Sequence, residues 1–329
     1  MNQATVIVAI LWLSLTAYAV LAGADFGGGV WDMLAGGPRA EEQRRAVENA
    51  IGPVWEANHV WLIFLVVGLF TAFPIAFATL SVTLYLPFTV ALVGIVLRGA
   101  GFAFHTHLDS ARQSMSSWRI VFRFASLLTP AMLGVAAAAV ASGRLQVSSS
   151  GGFTIAWISF FGLDMALLAV ALCAYLAATY LMVETAADPP LQADFRRRAM
   201  LAGVVSGGLA LIGLGLAWFD ARWLFKGLFG AALPLLILAL INGPLALWAV
   251  IRAEPSIARL AVAGEVVLVL WTWGVAQWPY LVPPDLTIQG SASSANTLDL
   301  FLVTVVLGMA LLLPSLYLLF RIFKRDAVP

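Results

Sequence analysis

Residues 54–74 read VWEANHVWLIFLVVGLFTAFP. From Val60 to Phe73 this stretch carries no charged side chain. It is about as long as the 20 or so residues that cross the hydrocarbon core of a bilayer as a helix. Its apolar residues are continuous rather than alternating, which excludes the strand of a membrane barrel. Eight more runs of this kind follow or precede it: 4–24 (with an extension to 35 left open), 79–102, 120–141, 153–183, 200–219, 224–250, 257–280 and 298–320. The expected fold is therefore all-α and integral to a membrane, with about nine transmembrane helices. Short connections leave no room for a soluble domain, so 1–329 is one polytopic unit.

Composition agrees. Of the 329 residues, 62% are hydrophobic and only 11% charged, and the mean hydropathy is +0.95. A soluble chain of this size could not bury so much apolar surface. The net charge of +1 gives no basic footprint for nucleic acid. The single cysteine, Cys173, lies inside an apolar run and excludes an internal disulfide or a Cys-pair metal site. The start, Met1-Asn2-Gln3, lacks the basic residues of a cleavable signal, so the first run is expected to be a retained span.

Fifteen of the eighteen lysines and arginines fall in the connections after spans one, three, five and seven and in the C-terminal tail. Only Arg144, Arg222 and Lys226 fall on the other side. The positive-inside rule then puts the N-terminus outside and the C-terminus in the cytoplasm. Trp118, Trp218, Trp223, Trp278 and Tyr280 stand where apolar runs end, as interfacial anchors do. Pro130, Pro234, Pro244 and Pro314 are expected to kink their spans.

Ionisable residues inside spans are costly and point to function. Asp25 precedes Gly27-Gly28-Gly29, and glycines there let a helix or a flat ligand come close. Glu56 and His59 stand three apart, on one helical face, after Pro53 at a helix start. A carboxylate and an imidazole so placed can pass protons, whereas the helix dipole alone also accounts for Glu56. Arg98 either snorkels to the interface or pairs with Glu56 or Asp25. His105 and His107 follow it in or near the connection on the arginine-rich side. Asp164, Glu265 and Asp299 are further acids within or at the edge of spans, without partners evident in the sequence.

Three of these blocks together resemble subunit II of the cytochrome bd-type quinol oxidases. They are GADFGGGVWDML (Gly23 to Leu34), RRAVENAIGPVWEANHVWLI (Arg44 to Ile63) and LRGAGFAF (Leu97 to Phe104). FPIAFA (Phe73 to Ala78), ATYL (Ala178 to Leu181) and QWPYLVPP (Gln277 to Pro284) extend the match over the whole chain, and WEANHVWL is its specific part. The resemblance implies two four-helix bundles plus one peripheral helix, in the cytoplasmic membrane of a bacterium. It implies a partner, subunit I, that carries two b-type haems, haem d and the quinol site. This chain is then expected to bind no haem or metal and to have no direct catalytic residue. A structural quinone in this chain and a small accessory single-span subunit are compatible with the family, as are lipid and quinol partners.

The same resemblance assigns Glu56, with His59 and Asp25, to a proton path from the cytoplasm toward the partner's haems. It gives Trp55 and Arg98 structural or charge-pairing roles. Burial is expected to bring Glu56 into the range of a proton carrier. Where well-known members have an acid after Gly-Phe, this chain has Ala103, and their following lysine aligns with His107. His105 and His107 are thus the candidates for a proton entrance. From the residues alone, a proton-coupled permease using Asp25, Glu56 and Asp164 is the alternative, because its spans and acids look the same.

Overall fold

Asn2 opens the first helix by accepting a hydrogen bond from the Ala4 N–H at 2.9 Å. That helix, α1, runs unbroken over Gln3–Met33, about 46 Å at 1.5 Å per residue. The longer version of the first span is thus the one observed. In the computed structural model, residues 2–51, 55–107, 112–145 and 157–324 are described. The helices that follow are α2 (Ala40–Ile51), α3 (Trp55–Ala72), α4 (Pro74–Thr83), α5 (Tyr85–His107), α6 (Arg112–Ala141) and α7 (Phe160–Glu184). Then come α8 (Pro189–Asp220), α9 (Arg222–Leu228), α10 (Leu233–Ile251), α11 (Pro255–Gln277) and α12 (Ala295–Lys324). A two-stranded antiparallel ribbon, β1 (Tyr280–Val282) and β2 (Leu286–Thr287), caps the end of α11.

Among the described residues eight helices are long and apolar enough to cross a membrane, and a ninth span results if α3 and α4 count as one bent element. That pair turns through 119° at Phe73. Pro74 sits at the start of α4, where its missing N–H costs nothing, but it cannot continue the ladder of α3. Two expected boundaries move as a result: the span read as 54–74 stops at Ala72, and the one read as 79–102 begins at Tyr85. The run 224–250 is also not one helix. It breaks after Leu228, and Pro234 lies at the start of α10 rather than inside a span. Pro130, Pro244 and Pro314 do lie inside helices.

The helices form two groups of four: α1, α3, α5 and α6, and then α7, α8, α10 and α11. Helix α12 lies outside both, and 6% of its apolar window is buried. It touches α1 and α3 through the Gln3–Asp299 hydrogen bond and the Phe64–Phe301 rings, 6.3 Å apart.

Helix α7 joins the two groups by packing on α1 and α6. Lipid tails are as apolar as leucine, so close packing and hydrogen bonds must hold such a seam. Gly27 meets the Cys173 carbonyl so closely that a Cβ there would fall 1.8 Å from the oxygen. Gly29 meets Ser126 of α6 in the same way. The glycine block therefore receives neighbouring helices. Trp31 then donates its indole N–H across the seam to the Ala174 carbonyl at 2.7 Å.

The arginine-rich end is tied by a polar latch. Arg39 grips Asp194 of α8 with two hydrogen bonds of 2.9 and 2.7 Å. Gln43 donates to the same carboxylate at 2.9 Å and accepts from Arg198 at 2.6 Å. Arg198 also donates to the Leu34 carbonyl at the end of α1. At the opposite end Arg144 pairs with Asp220 at 2.8 Å.

Candidate functional site

One face of α1 carries Tyr18, Ala22, Asp25, Gly29 and Asp32, spaced by three, four and seven residues as a helical stripe requires. All five are buried. Asn58, one turn into α3, donates its side-chain N–H to Asp25 Oδ2 at 2.6 Å. Asp25 and Asn58 are 5% and 3% exposed.

From α5 comes Arg98, the largest fully buried side chain among the described residues. It does not snorkel. Its guanidinium lies 5.0 Å from the Phe26 ring and 5.4 Å from the Phe122 ring of α6. Such cation–π contacts contribute about 0.5–2 kcal/mol each, far less than burying an isolated cation costs. The Asp25 carboxylate lies within electrostatic reach and offsets part of that cost. Nε and Nη2 of Arg98 have no hydrogen-bond partner among the described residues, and neither has the Tyr18 hydroxyl. His59 closes the cluster, its ring 5.8 Å from Tyr18 and 6.0 Å from Phe26.

Asp25, His59 and Arg98 are thus brought together, and Glu56 is not. Its side chain is exposed on this chain, so the burial expected for it is not supplied here. His59 turns inward while Glu56 turns out, and the face expected to be shared is divided between them. Trp55 opens α3, and His105 and His107 end α5, but their side chains lie outside the described residues. Pro53 lies outside them as well. Among the described residues no group of three His, Cys, Asp or Glu side chains could hold a metal ion.

Reading the sequence missed Asn58 and Tyr18, which are neutral and sit among more conspicuous neighbours. It also missed the pair formed about two turns further along α1, toward the arginine-rich end, where Arg123 of α6 donates to Asp32 at 2.5 Å. Asp32 is 3% exposed.

The second group of helices holds a parallel arrangement. Asn242 of α10 donates to Glu265 of α11 at 2.8 Å and to the Ala261 carbonyl at 2.9 Å. The buried Tyr175 of α7 lies within electrostatic reach of Glu265, and its hydroxyl is without a hydrogen-bond partner among the described residues. Asp164, nearer the other end of α7, is 5% exposed and packs over Gly213 of α8. Asp299 bonds to Gln3.

The family model described as cytochrome bd terminal oxidase subunit II matches residues 3–323. A Bacillus subtilis chain provisionally named a cytochrome bd menaquinol oxidase subunit II is 23% identical over 99% of this chain and 96% of its own length. The Escherichia coli K12 cytochrome bd-I ubiquinol oxidase subunit 2 is 26% identical over 94% of this chain and 92% of its own. A chain of the solved bd oxidase structure from Geobacillus thermodenitrificans superposes with a TM-score of 0.77 at 22% identity, covering 98% of this chain and 99% of that one.

Proposed function

This chain belongs to the cytochrome bd terminal oxidase subunit II family, and from that premise we propose that it serves a membrane quinol oxidase as the subunit without haem. The complex takes electrons from a quinol and reduces dioxygen to water. The redox chemistry is supplied by two haems b and a haem d on the partner, subunit I. Protons leave quinol on the outer side and are drawn for water from the cytoplasm. The proposed orientation has the N-terminus outside and the arginine-rich end inside, so this exchange separates charge without a pump. Each charge so moved stores about 2.3 kcal/mol per 100 mV. The family match favours this reading over a permease.

The observation that carries the proposal for this chain's own residues is the buried Asp25–Asn58 hydrogen bond beside Arg98. Asn58 and Arg98 orient and balance the Asp25 carboxylate, and His59 lies against the same aromatic wall. Glu56, exposed one turn away on α3, is the proton carrier at the face that subunit I covers. Contact with subunit I supplies the dry surroundings that this chain alone does not.

The test uses the purified two-subunit complex. Glu56→Gln is expected to slow oxygen reduction by roughly a hundredfold, the scale of a lost proton-transfer group. Glu56→Asp should retain most of the rate, with the reduced-minus-oxidised haem spectrum unchanged in both. Near-normal turnover in the glutamine variant would remove the carrier role. Loss of haem d in both variants would assign Glu56 to assembly instead.

A further inference from the structure

The three cations that the sequence places away from the arginine-rich end meet at one corner of the molecule. Arg144, after α6, pairs with Asp220 at the end of α8. Arg222 and Lys226 belong to α9, which opens two residues after Asp220. A Cβ on Gly143 would touch Trp223 at 3.9 Å, so the two segments lie side by side. Asp220 is the one acid in the sequence from Trp218 to Leu233, and Arg144 takes it up. Arg222 gives its Nε–H to the Trp218 carbonyl at 3.3 Å. Among the described residues no acid forms an ion pair with Arg222 or Lys226. Both side chains are exposed. Two positive charges thus stand uncompensated at the end where cations are otherwise avoided.

Helix α9 has two unlike faces. Its inner face is fixed: Leu224 is buried, and a Cβ on Gly227 would fall 2.2 Å from the Ala276 carbonyl of α11. At roughly 100° per residue, Arg222, Phe225, Lys226 and Phe229 fall within about 100° of arc on the other side. Cations and rings therefore share the outward face. The rings continue as a row, with Trp218 5.0 Å from Phe225 and Phe225 4.6 Å from Phe229. Trp218 and Phe229, at its two ends, are 52% and 48% exposed. Such rings settle at the depth of the lipid headgroups, where a neighbouring cation meets phosphate.

We propose that the outward face of α9 binds an anionic phospholipid, its phosphate held by Arg222 and Lys226 and its chains laid against the Trp218–Phe225–Phe229 row. A free anion would use the cations and leave the rings idle. A zwitterionic lipid would bring its own cation to a site that already has two in excess. Subunit I is not the occupant, since α9 packs on α8, α10 and α11 of the second group. The face proposed for subunit I lies on α3, in the first group. In the proposed orientation the lipid belongs to the outer leaflet. The site does not depend on the oxidase reading.

The test uses the two-subunit complex, stripped of lipid in a neutral detergent. It is titrated with dioleoylphosphatidylglycerol or dioleoylphosphatidylcholine, and retained lipid is counted by native mass spectrometry. Arg222→Gln/Lys226→Gln should weaken phosphatidylglycerol binding about thirtyfold, at roughly fivefold per cation near a membrane surface. Phosphatidylcholine binding should not change. Phe229→Ser keeps both cations and should cost about threefold, since chain contact adds to charge attraction. The control, Arg45→Gln/Arg197→Gln, removes two exposed cations from the arginine-rich end and should leave the tight binding in place. Equal losses in the two double variants would overturn the site, because diffuse surface charge would then suffice. Equal affinity for the two lipids would overturn it as well. Inorganic phosphate alone should not raise the unfolding temperature. A rise that disappears in Arg222→Gln/Lys226→Gln would reassign the site to a free anion.

Discussion

The two helix groups each contain an acid, an asparagine and a tyrosine, and they use them differently. In the first, Asp25 accepts from Asn58 at 2.6 Å, with Tyr18 nearby. In the second, Glu265 accepts from Asn242 at 2.8 Å, with Tyr175 nearby. Both tyrosine hydroxyls lack hydrogen-bond partners among the described residues. The difference is Arg98. A fully buried guanidinium lies within electrostatic reach of the first acid, and among the described residues no comparable cation acts on the second. An amide donor steadies a carboxylate whether or not it is ionised. A buried cation makes the energy of the site depend on that charge. Hydrogen bonding is therefore common to both groups, and charge coupling belongs to the first.

Removing the cation tests the contrast most severely. Arg98→Met leaves the Asp25 carboxylate in a dry bundle without that cation, at a cost of about 3–5 kcal/mol for a broken buried pair. The yield of assembled complex and its haem d absorbance should fall steeply. The double variant Arg98→Met/Asp25→Asn should recover part of both, and no recovery would mean that the two residues are not coupled. The matching change in the second group, Glu265→Gln, keeps a neutral acceptor for Asn242 and should cost about 1 kcal/mol or less.

A charge pair without the aromatic cage gives the intermediate case. Arg123→Ala strands the buried Asp32, and about 1.5–3 kcal/mol should be lost, the scale of a hydrogen bond to a charged group. Thermal unfolding in nanodiscs would measure it. A smaller step separates the asparagines: Asn58→Ala and Asn242→Ala should each cost about 1 kcal/mol, with the first also changing oxygen-reduction rate. Equal effects on rate would erase the distinction between the groups. Smallest of all, Arg39→Ala opens the partly exposed latch to Asp194. Its effect on unfolding temperature should be slight and should vanish at high salt, as screened surface pairs do.

The spans were legible in the sequence because a bilayer demands long apolar runs with every backbone group satisfied inside the helix. The breaks at Phe73 and Leu228 were not, although Pro74 and Pro234 mark both. A proline at a helix start and one inside a helix look alike until the next residues are placed. Asp25 and Arg98 stood out because charges in apolar runs are rare. Asn58 and Tyr18 did not, since neutral polar residues are ordinary in spans. That Arg98 would rest on Phe26 and Phe122 depends on three helices meeting, which spacing along one of them cannot state. For Glu56 the obstacle is of another kind. Helical spacing put it with His59, but the roughly 60° between them around the helix axis is enough to divide an inner face from an outer one.

Helix α1 has a history as well as a position. It is made before α2 to α12, and its polar groups find partners in the order that the ribosome delivers them. The Asn58 partner of Asp25 follows 33 residues later, the Arg123 partner of Asp32 after 91, and the Ala174 carbonyl that Trp31 needs after 143. For much of translation the nascent chain therefore holds a membrane segment with unmet acids. A chain cut short after α5 would leave Asp32 without its cation, and one cut before α7 would leave Trp31 without its acceptor.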